Sequence, residues 1–170
     1  MDKKLEKTIN EQITKEYYSS YLYLSMAAYF ESKNLPGFAQ WMKMQSNEEM
    51  LHVMKFYGFV NDRGSKVVLG AIDKPPSDFL SIRDVFEKTL GHEKKVTQSI
   101  NDLYALAQSV NDNASVMFLQ WFVTEQVEEE KNVSDILARL DLIKEDPMGI
   151  LMLDKELATR PQPVIEGAAE

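Results

Sequence analysis

Apolar side chains recur at three- and four-residue intervals from Leu5 through Ile9, Ile13, Tyr17, Leu24 and Ala27. Ser20 falls in the same series, and no Gly or Pro interrupts it, so the pattern predicts one long amphipathic helix. "KNLPG" (33–37) breaks the series. A second begins at Phe38 and passes through Trp41, Met42, Gln45, Glu49, His52, Phe56 and Phe59 to "NDRG" (61–64), where Gly64 supplies a stop. A third helix is expected from near Ser81, with Val85, Phe86, Leu90, Glu93, Val96, Ile100, Leu103 and Ala107 on its stripe. After the turn "VNDN" (110–113), a fourth carries Leu119, Phe122, Gln126, Glu129, Val133, Ile136 and Leu140. "EDPMGILMLDKELATR" offers Asp146 as a cap and Pro147 in the first turn of a short fifth helix. The tail 161–170, "PQPVIEGAAE", is expected to be flexible, leaving residues 1–160 as one domain.

Connection lengths turn this list into a topology. The short breaks at 33–36 and 110–113 make two antiparallel hairpins. The segment from 65 to 80, "SKVVLGAIDKPPSDFL", reads as a connection with a β-branched stretch that could pair with its copy on a neighbouring chain. Extended, it reaches roughly 50 Å, and the second helix is roughly 40 Å long. The connection can therefore travel back along that helix and leave helices two and three parallel. The expected fold is all-α: a four-helix bundle with one long crossover and a short C-terminal helix.

Each of the four stripes is interrupted by acids about halfway along its helix. Glu16 lies between Ile13 and Ser20; Glu49 and His52 lie between Gln45 and Phe56; Glu93 lies between Leu90 and Val96; Gln126 and Glu129 lie between Phe122 and Val133. An offset of 77 carries Glu16 to Glu93, Glu49 to Gln126 and His52 to Glu129. A second register, offset by 80, aligns "QWMKMQSNEE" (40–49) with "QWFVTEQVEE" (120–129). The first relates the polar groups of all four helices. A single glutamate on a helix is ordinarily a surface residue. Four carboxylates at one depth would repel one another and cost several kcal/mol each to desolvate, and no Lys or Arg occupies a neighbouring stripe position. Two divalent cations would balance them. A Glu-x-x-His pair places both ligands on one helix face. Oxygen-rich ligation with one imidazole and no sulfur suits iron or manganese. Di-iron carboxylate bundles take one Glu from each of two helices and Glu-x-x-His from the other two. This chain departs from that pattern in the fourth helix, where Gln126-x-x-Glu129 stands instead.

Composition narrows the chemistry further. A net charge of −8 argues against nucleic acid and favours cationic partners. With no cysteine, zinc–thiolate sites, iron–sulfur clusters and thiol catalysis are excluded. The opening "MDKKLEKTINEQITKE" is too polar for a signal peptide and no apolar run is long enough to span a membrane, so a soluble cytoplasmic protein is expected.

With these residues in view, the chain resembles the ferritins of the prokaryotic non-haem kind. The resemblance covers residues 1 to about 160. It is carried by "EYYSSYLYLSMA" (16–27), "NEEMLH" (47–52), "GHE" (91–93) and "FLQWFVTEQVEEE" (118–130). It implies iron storage with ferroxidase activity, in which Fe(II) is oxidised by dioxygen or hydrogen peroxide and laid down as a ferric mineral. One iron would be held by Glu16, Glu49 and His52. The second would take Glu49 as a bridge together with Glu93 and Glu129, with Gln126 beside them. Tyr23 matches the tyrosine that such proteins keep near the dinuclear site. A third iron site would use Glu48, Glu125 and Glu128, sharing Glu129. The resemblance further implies self-assembly into a hollow cage of twenty-four chains.

Other features carry less. Met50 stands where bacterioferritins hold a haem-ligating methionine, but their second Glu-x-x-His is missing here, so haem is not expected. His92, about 100° from the face of Glu93, is expected at the surface. Trp41 and Trp121 read as packing residues. Two other readings remain: a di-iron enzyme such as a rubrerythrin-like peroxidase, whose usual Cys-rich domain is absent, or an acidic helical interaction module.

Overall fold

The computed structural model describes residues 1–144 and 146–163. Among these residues five helices follow one another: α1 (Lys3–Ser32), α2 (Pro36–Asp62), α3 (Ile82–Ser109), α4 (Asn113–Ile143) and α5 (Pro147–Leu157). This is the expected all-α bundle, with α1 packed on α2 and α3 on α4 as hairpins and α5 laid across one end against α2 and α4. Among the described residues no helix is long and apolar enough to cross a membrane. Residues 164–170 of the expected flexible tail lie outside the described residues.

The helix ends follow from local chemistry. Asp2, Ser81, Asp112 and Asp146 each accept a backbone N–H in the first turn of α1, α3, α4 and α5. The first three helices stop in the same way. A left-handed residue, Asn34, Gly64 or Asn111, is followed by an N–H that returns to the carbonyl five residues back. Those bonds are Leu35 to Phe30, Ser65 to Val60 and Asp112 to Ala107, which is the Schellman geometry.

The start of α2 is capped from a distance. Leu35 has no side chain to offer, and instead Asp154 Oδ1 of α5 accepts from both Gly37 N and Phe38 N at 2.9 Å. Gly37 is required for that approach, since a Cβ there would lie 1.6 Å from the Asp154 carbonyl oxygen. The short fifth helix is therefore bonded to the α1–α2 turn.

The crossover, expected to contain a strand-like piece, forms no strand within the chain. Its backbone is paired instead with side chains of α1. Asn10 donates to Lys66 O and accepts from Val68 N, Thr14 Oγ1 accepts from Gly70 N, and Ser25 donates to Pro76 O. Asn10 thus supplies the donor and acceptor that a neighbouring strand would otherwise provide.

The apolar core falls into two halves. One gathers Tyr23, Met26, Phe30, Phe38, Trp41, Phe86 and Val133 with the buried side of α5. The other gathers Leu5, Ile9, Ile13, Phe56, Ile100, Leu119 and Phe122. The midpoints of the four long helices lie between them. Leu24, read as a core position, points outward and is half exposed; the series passes through Tyr23 instead, which is fully buried. Helix α1 buries two faces, one toward α2 and one toward α3, so its stripe is wider than a single three-four series.

Replacing Asp154 with Ala removes both caps of α2 and is expected to cost about 1–2 kcal/mol, read as a lowered thermal midpoint. Gly37→Ala should cost more than this and should speed hydrogen exchange in α5, because the whole helix must move off.

Candidate metal centre

Two apolar half-cores leave a polar layer between them, and all six central residues of the stripes are buried in it. Glu16, Glu49, His52, Glu93, Gln126 and Glu129 are each at most 3 % exposed. Small residues set the spacing of the first hairpin here. Ser20 Oγ donates to Ser46 O and Ser46 Oγ donates to Ser20 O, both at 2.8 Å, one turn away from Glu16 and Glu49. This reciprocal pair holds α1 close against α2, and so brings the two carboxyls to face each other.

Glu16, Glu49 and His52 offer one ligand atom each within 4.8 Å of one another. His52 Nδ1 lies 3.3 Å from Glu49 Oε2, and its ring is flanked edge-on by Trp121 and Phe122. Glu16 Oε1 accepts from Gln12 Nε2 at 2.8 Å, whereas Glu16 Oε2 is buried without any partner. A buried oxygen left unpaired is costly in a closed core, and it belongs to a residue that converges with two other metal-type ligands.

The remaining members have partners. Glu93 accepts from the Tyr23 hydroxyl and, at 3.2 Å, from Gln126 Nε2, which also reaches Thr97 Oγ1. Glu129 accepts from Gln45 Nε2. Glu93 and Glu129 do not close into a ligand set with Glu49. Glu129 instead joins His52 and the half-buried Glu125 in a second set, again within 4.8 Å. Glu48 is turned to Arg160 at 2.6 Å, and Glu128 is exposed.

Electrostatics shows what the layer lacks. Burial, and then the charge of Glu49, pushes the Glu16 carboxyl up to about 8. Burial likewise raises Glu49 and Glu93 to about 8, with Glu48 and Glu125 adding to the first and Glu16 and Glu130 to the second. Glu129 is raised well above the ordinary range, by burial and then by Glu93 and Glu49. Among the described residues, none of the four is paired with a lysine or arginine. The donor set, the unpartnered oxygen and the uncompensated charge fit divalent cations bound by oxygen and one imidazole.

Besides Leu24, one side chain lies elsewhere than the sequence implies, and one has a role that the sequence does not signal. His92 is half-buried rather than at the surface, because α3 packs on α1 along that face. Its Nε2 lies 2.7 Å from Ser19 Oγ, and its ring lies against Tyr18 and Tyr23. Burial and Lys95 lower it to about 4, so it is neutral at ordinary pH. Arg160 was missed altogether. It follows the last helix, where no periodicity could connect it to Gln45 and Glu48.

The Ferritin-like domain family matches residues 6–143. The chain belongs to the ferritin family. Among its relatives, a probable bacterial non-heme ferritin-like protein of Haemophilus influenzae is 39% identical over 151 residues, covering 89% of this chain and 92% of the relative. A bacterial non-heme ferritin of Staphylococcus epidermidis is 38% identical over 160 residues, covering 94% and 96%. Among solved structures, an open pore ferritin of the hyperthermophilic archaeon Archaeoglobus fulgidus is 46% identical with a TM-score of 0.94, covering 95% of this chain and 99% of that one. The fold of this chain is thus similar to that of the archaeal ferritin along nearly its whole length.

Raised carboxyl pKa values set a pH dependence. Below pH 4.5, Glu16, Glu49 and Glu93 are neutral in the folded and unfolded chain alike. Between 4.5 and about 8 the unfolded chain loses these protons while the folded one keeps them, so stability falls as pH rises through that window. Calorimetry of metal-free protein should show the midpoint dropping by several degrees across it. Glu16→Gln should flatten the drop, and a saturating divalent cation should abolish it.

Proposed function

We propose that this ferritin stores iron, oxidising Fe(II) to Fe(III) at a dinuclear site in the polar layer and depositing ferric oxide inside a cage of many copies. The observation that carries this reading is the buried cluster of Glu16, Glu49 and His52 with its unpartnered Glu16 oxygen. Iron is the substrate, and the chain's part is to bind, orient and release it. The first Fe(II) is taken by Glu16, Glu49 and His52, the second by Glu49, Glu93 and Glu129, with Gln126 beside the pair. As the cations enter, the carboxyls give up the protons that burial had kept on them. Each Fe(II) yields one electron. The pair reduces dioxygen with two protons to hydrogen peroxide, or hydrogen peroxide with two protons to two waters.

Tyr23 keeps the Glu93 carboxylate oriented through its hydroxyl. Gln126 is neutral, so Gln126-x-x-Glu129 carries the same single negative charge as a Glu-x-x-His pair, but places it on Glu129 and leaves a weaker amide donor at 126. Ferric product leaves toward Glu125, Glu48 and Glu128, which form the third site. Exposed apolar side chains, among them Tyr21, Leu24, Met148, Leu151 and Met152, supply surface for packing copies into a shell. The resemblance to prokaryotic ferritins supports twenty-four copies and a cytoplasmic location. The relatives' description as non-heme ferritins agrees with a site free of haem.

Stepwise addition of Fe(II) in air to the metal-free protein, followed by sizing and iron analysis, tests the reading. Iron is expected to rise far beyond two per chain in one large particle; a plateau at two would instead indicate a di-iron enzyme that keeps its metals. Glu49→Ala should slow oxidation by roughly 10–100-fold or more, the scale on which metal-site substitutions act.

Gln126→Glu places a carboxylate where the amide now donates to Glu93. The variant should hold its two irons more tightly and turn over more slowly on a second Fe(II) addition. Equal second-round rates in variant and wild type would show that the amide plays no part in release.

A further inference from the structure

Arg160 is held beside the metal layer by four contacts, one of them a 3.4 Å hydrogen bond from Nη1 to Trp41 O. Its guanidinium stacks on the Trp41 ring with its carbon 4.5 Å from the ring centroid, Nη1 donates to Gln45 Oε1, and Nη2 donates to Glu48 Oε2 at 2.6 Å. Both members of the ion pair are about four-fifths buried. A guanidinium can only donate, so the Gln45 oxygen must face it, and the amide nitrogen is thereby aimed at Glu129, to which it donates. One fixed cation therefore holds an acid of the proposed third site directly and touches a ligand of the dinuclear site through one amide.

The arrangement has somewhere to go. A cleft of about 350 Å³ opens beside the guanidinium, lined by Trp41, Arg139, Glu156, Thr159 and Arg160. Glu156, at present bonded to Arg139, offers a second carboxylate in that cleft. Arg160 lies just past the end of α5, in a segment without helical backbone, so it can exchange partners without unwinding a helix.

We propose that Arg160 is a positioning residue that acts as a tethered cation at the third iron site: it occupies Glu48 while that site is empty and must be displaced toward the Glu156 cleft before iron can use Glu48. The inference rests on the proposed function and deepens it. A bound guanidinium neutralises Glu48 without a metal and makes the third site weaker than the two beside it. Iron leaving the dinuclear site then meets a ligand set that it can enter and leave, rather than a trap. Arginine suits this role better than a metal-like point charge, because its planar fork satisfies Gln45 and Glu48 together and its face rests on Trp41.

Anaerobic titration of metal-free cages with Fe(II) alone, resolved into separate equivalents per chain, tests this. Arg160→Ala should tighten the third equivalent about tenfold, the scale of a part-buried charge-assisted contact, and leave the first two within about threefold. Arg160→Gln, which keeps a stem over Trp41 and a hydrogen-bonding head, should do the same and reads the effect if the Ala variant assembles poorly. Arg160→Lys should return toward wild type. In a Glu48→Gln background the Arg160 substitutions should lose their effect on the third equivalent. A side chain that only props up the fold would weaken all three equivalents together. A third equivalent that is unchanged or weaker in both Arg160→Ala and Arg160→Gln, with the first two intact, overturns the proposal. Wild-type protein that binds no Fe(II) at any equivalent overturns the storage reading and this inference with it.

Discussion

Burying Glu16, Glu49, Glu93 and Glu129 in one layer takes four acids out of water, and among the described residues none is directly paired with a lysine or arginine; the rest of the bundle is arranged around that cost. The chain meets it in three ways. Protons stay on the carboxyls well above their usual range. Neutral donors, Gln12, Gln45, Gln126 and Tyr23, are spent on single oxygens. The layer is also confined to the middle of the helices, with an apolar half-core sealing it on each side. None of these supplies positive charge. The metal-free protein is therefore held together despite its centre, and cations that bind there are expected to stabilise the fold as well as react in it.

Much of this was legible in the sequence because a helix reports its faces at a fixed period. The four long helices, Asp146 and Pro147 at the start of α5, and the crossover between parallel α2 and α3 all follow from spacing and punctuation. The interruptions of the stripes by Glu16, Glu49, Glu93 and Glu129 could be seen for the same reason, since an acid is conspicuous only against a regular apolar background. What was illegible depends on contacts between elements. Leu24 and Tyr23 are adjacent on α1, and which of them is buried depends on α3 packing along the second face. The burial of His92 has the same origin. The strand-like residues 65–72 have the composition of a strand, and within the chain Asn10 and Thr14 of α1 bond part of their backbone, a contact that no periodicity reveals.

The contacts that sequence reasoning could not find share a physical type. Asp154 caps α2 from the far end of the chain, and Arg160 reaches Gln45 and Glu48 across more than a hundred residues. Both use the C-terminal helix and its exit to supply what the α1–α2 hairpin cannot supply itself: a cap for a helix that begins Leu-Pro-Gly, and a positive charge beside an acidic layer. The fifth helix is thus tied to the ends of the other elements by hydrogen bonds as well as by its buried Leu153 and Leu157. A helix of this length is marginal alone, so its placement depends on these bonds.

The two halves of the layer are unequal, and the inequality has a direction. On the α1–α2 side, Glu16, Glu49 and His52 already converge, and Glu16 has an oxygen with nothing to lose. On the α3–α4 side, Glu93 is committed to Tyr23 and Gln126, and Glu129 to Gln45. On the proposed reading, a metal entering the first position gains ligands that have few competing bonds, whereas one entering the second must displace protein donors. The second position is then the weaker, and it lies on the side where Glu129 is shared with Glu125 and His52. A gradient of this kind needs no moving part within the bundle. It follows from which oxygens the chain has left free and which it has already satisfied.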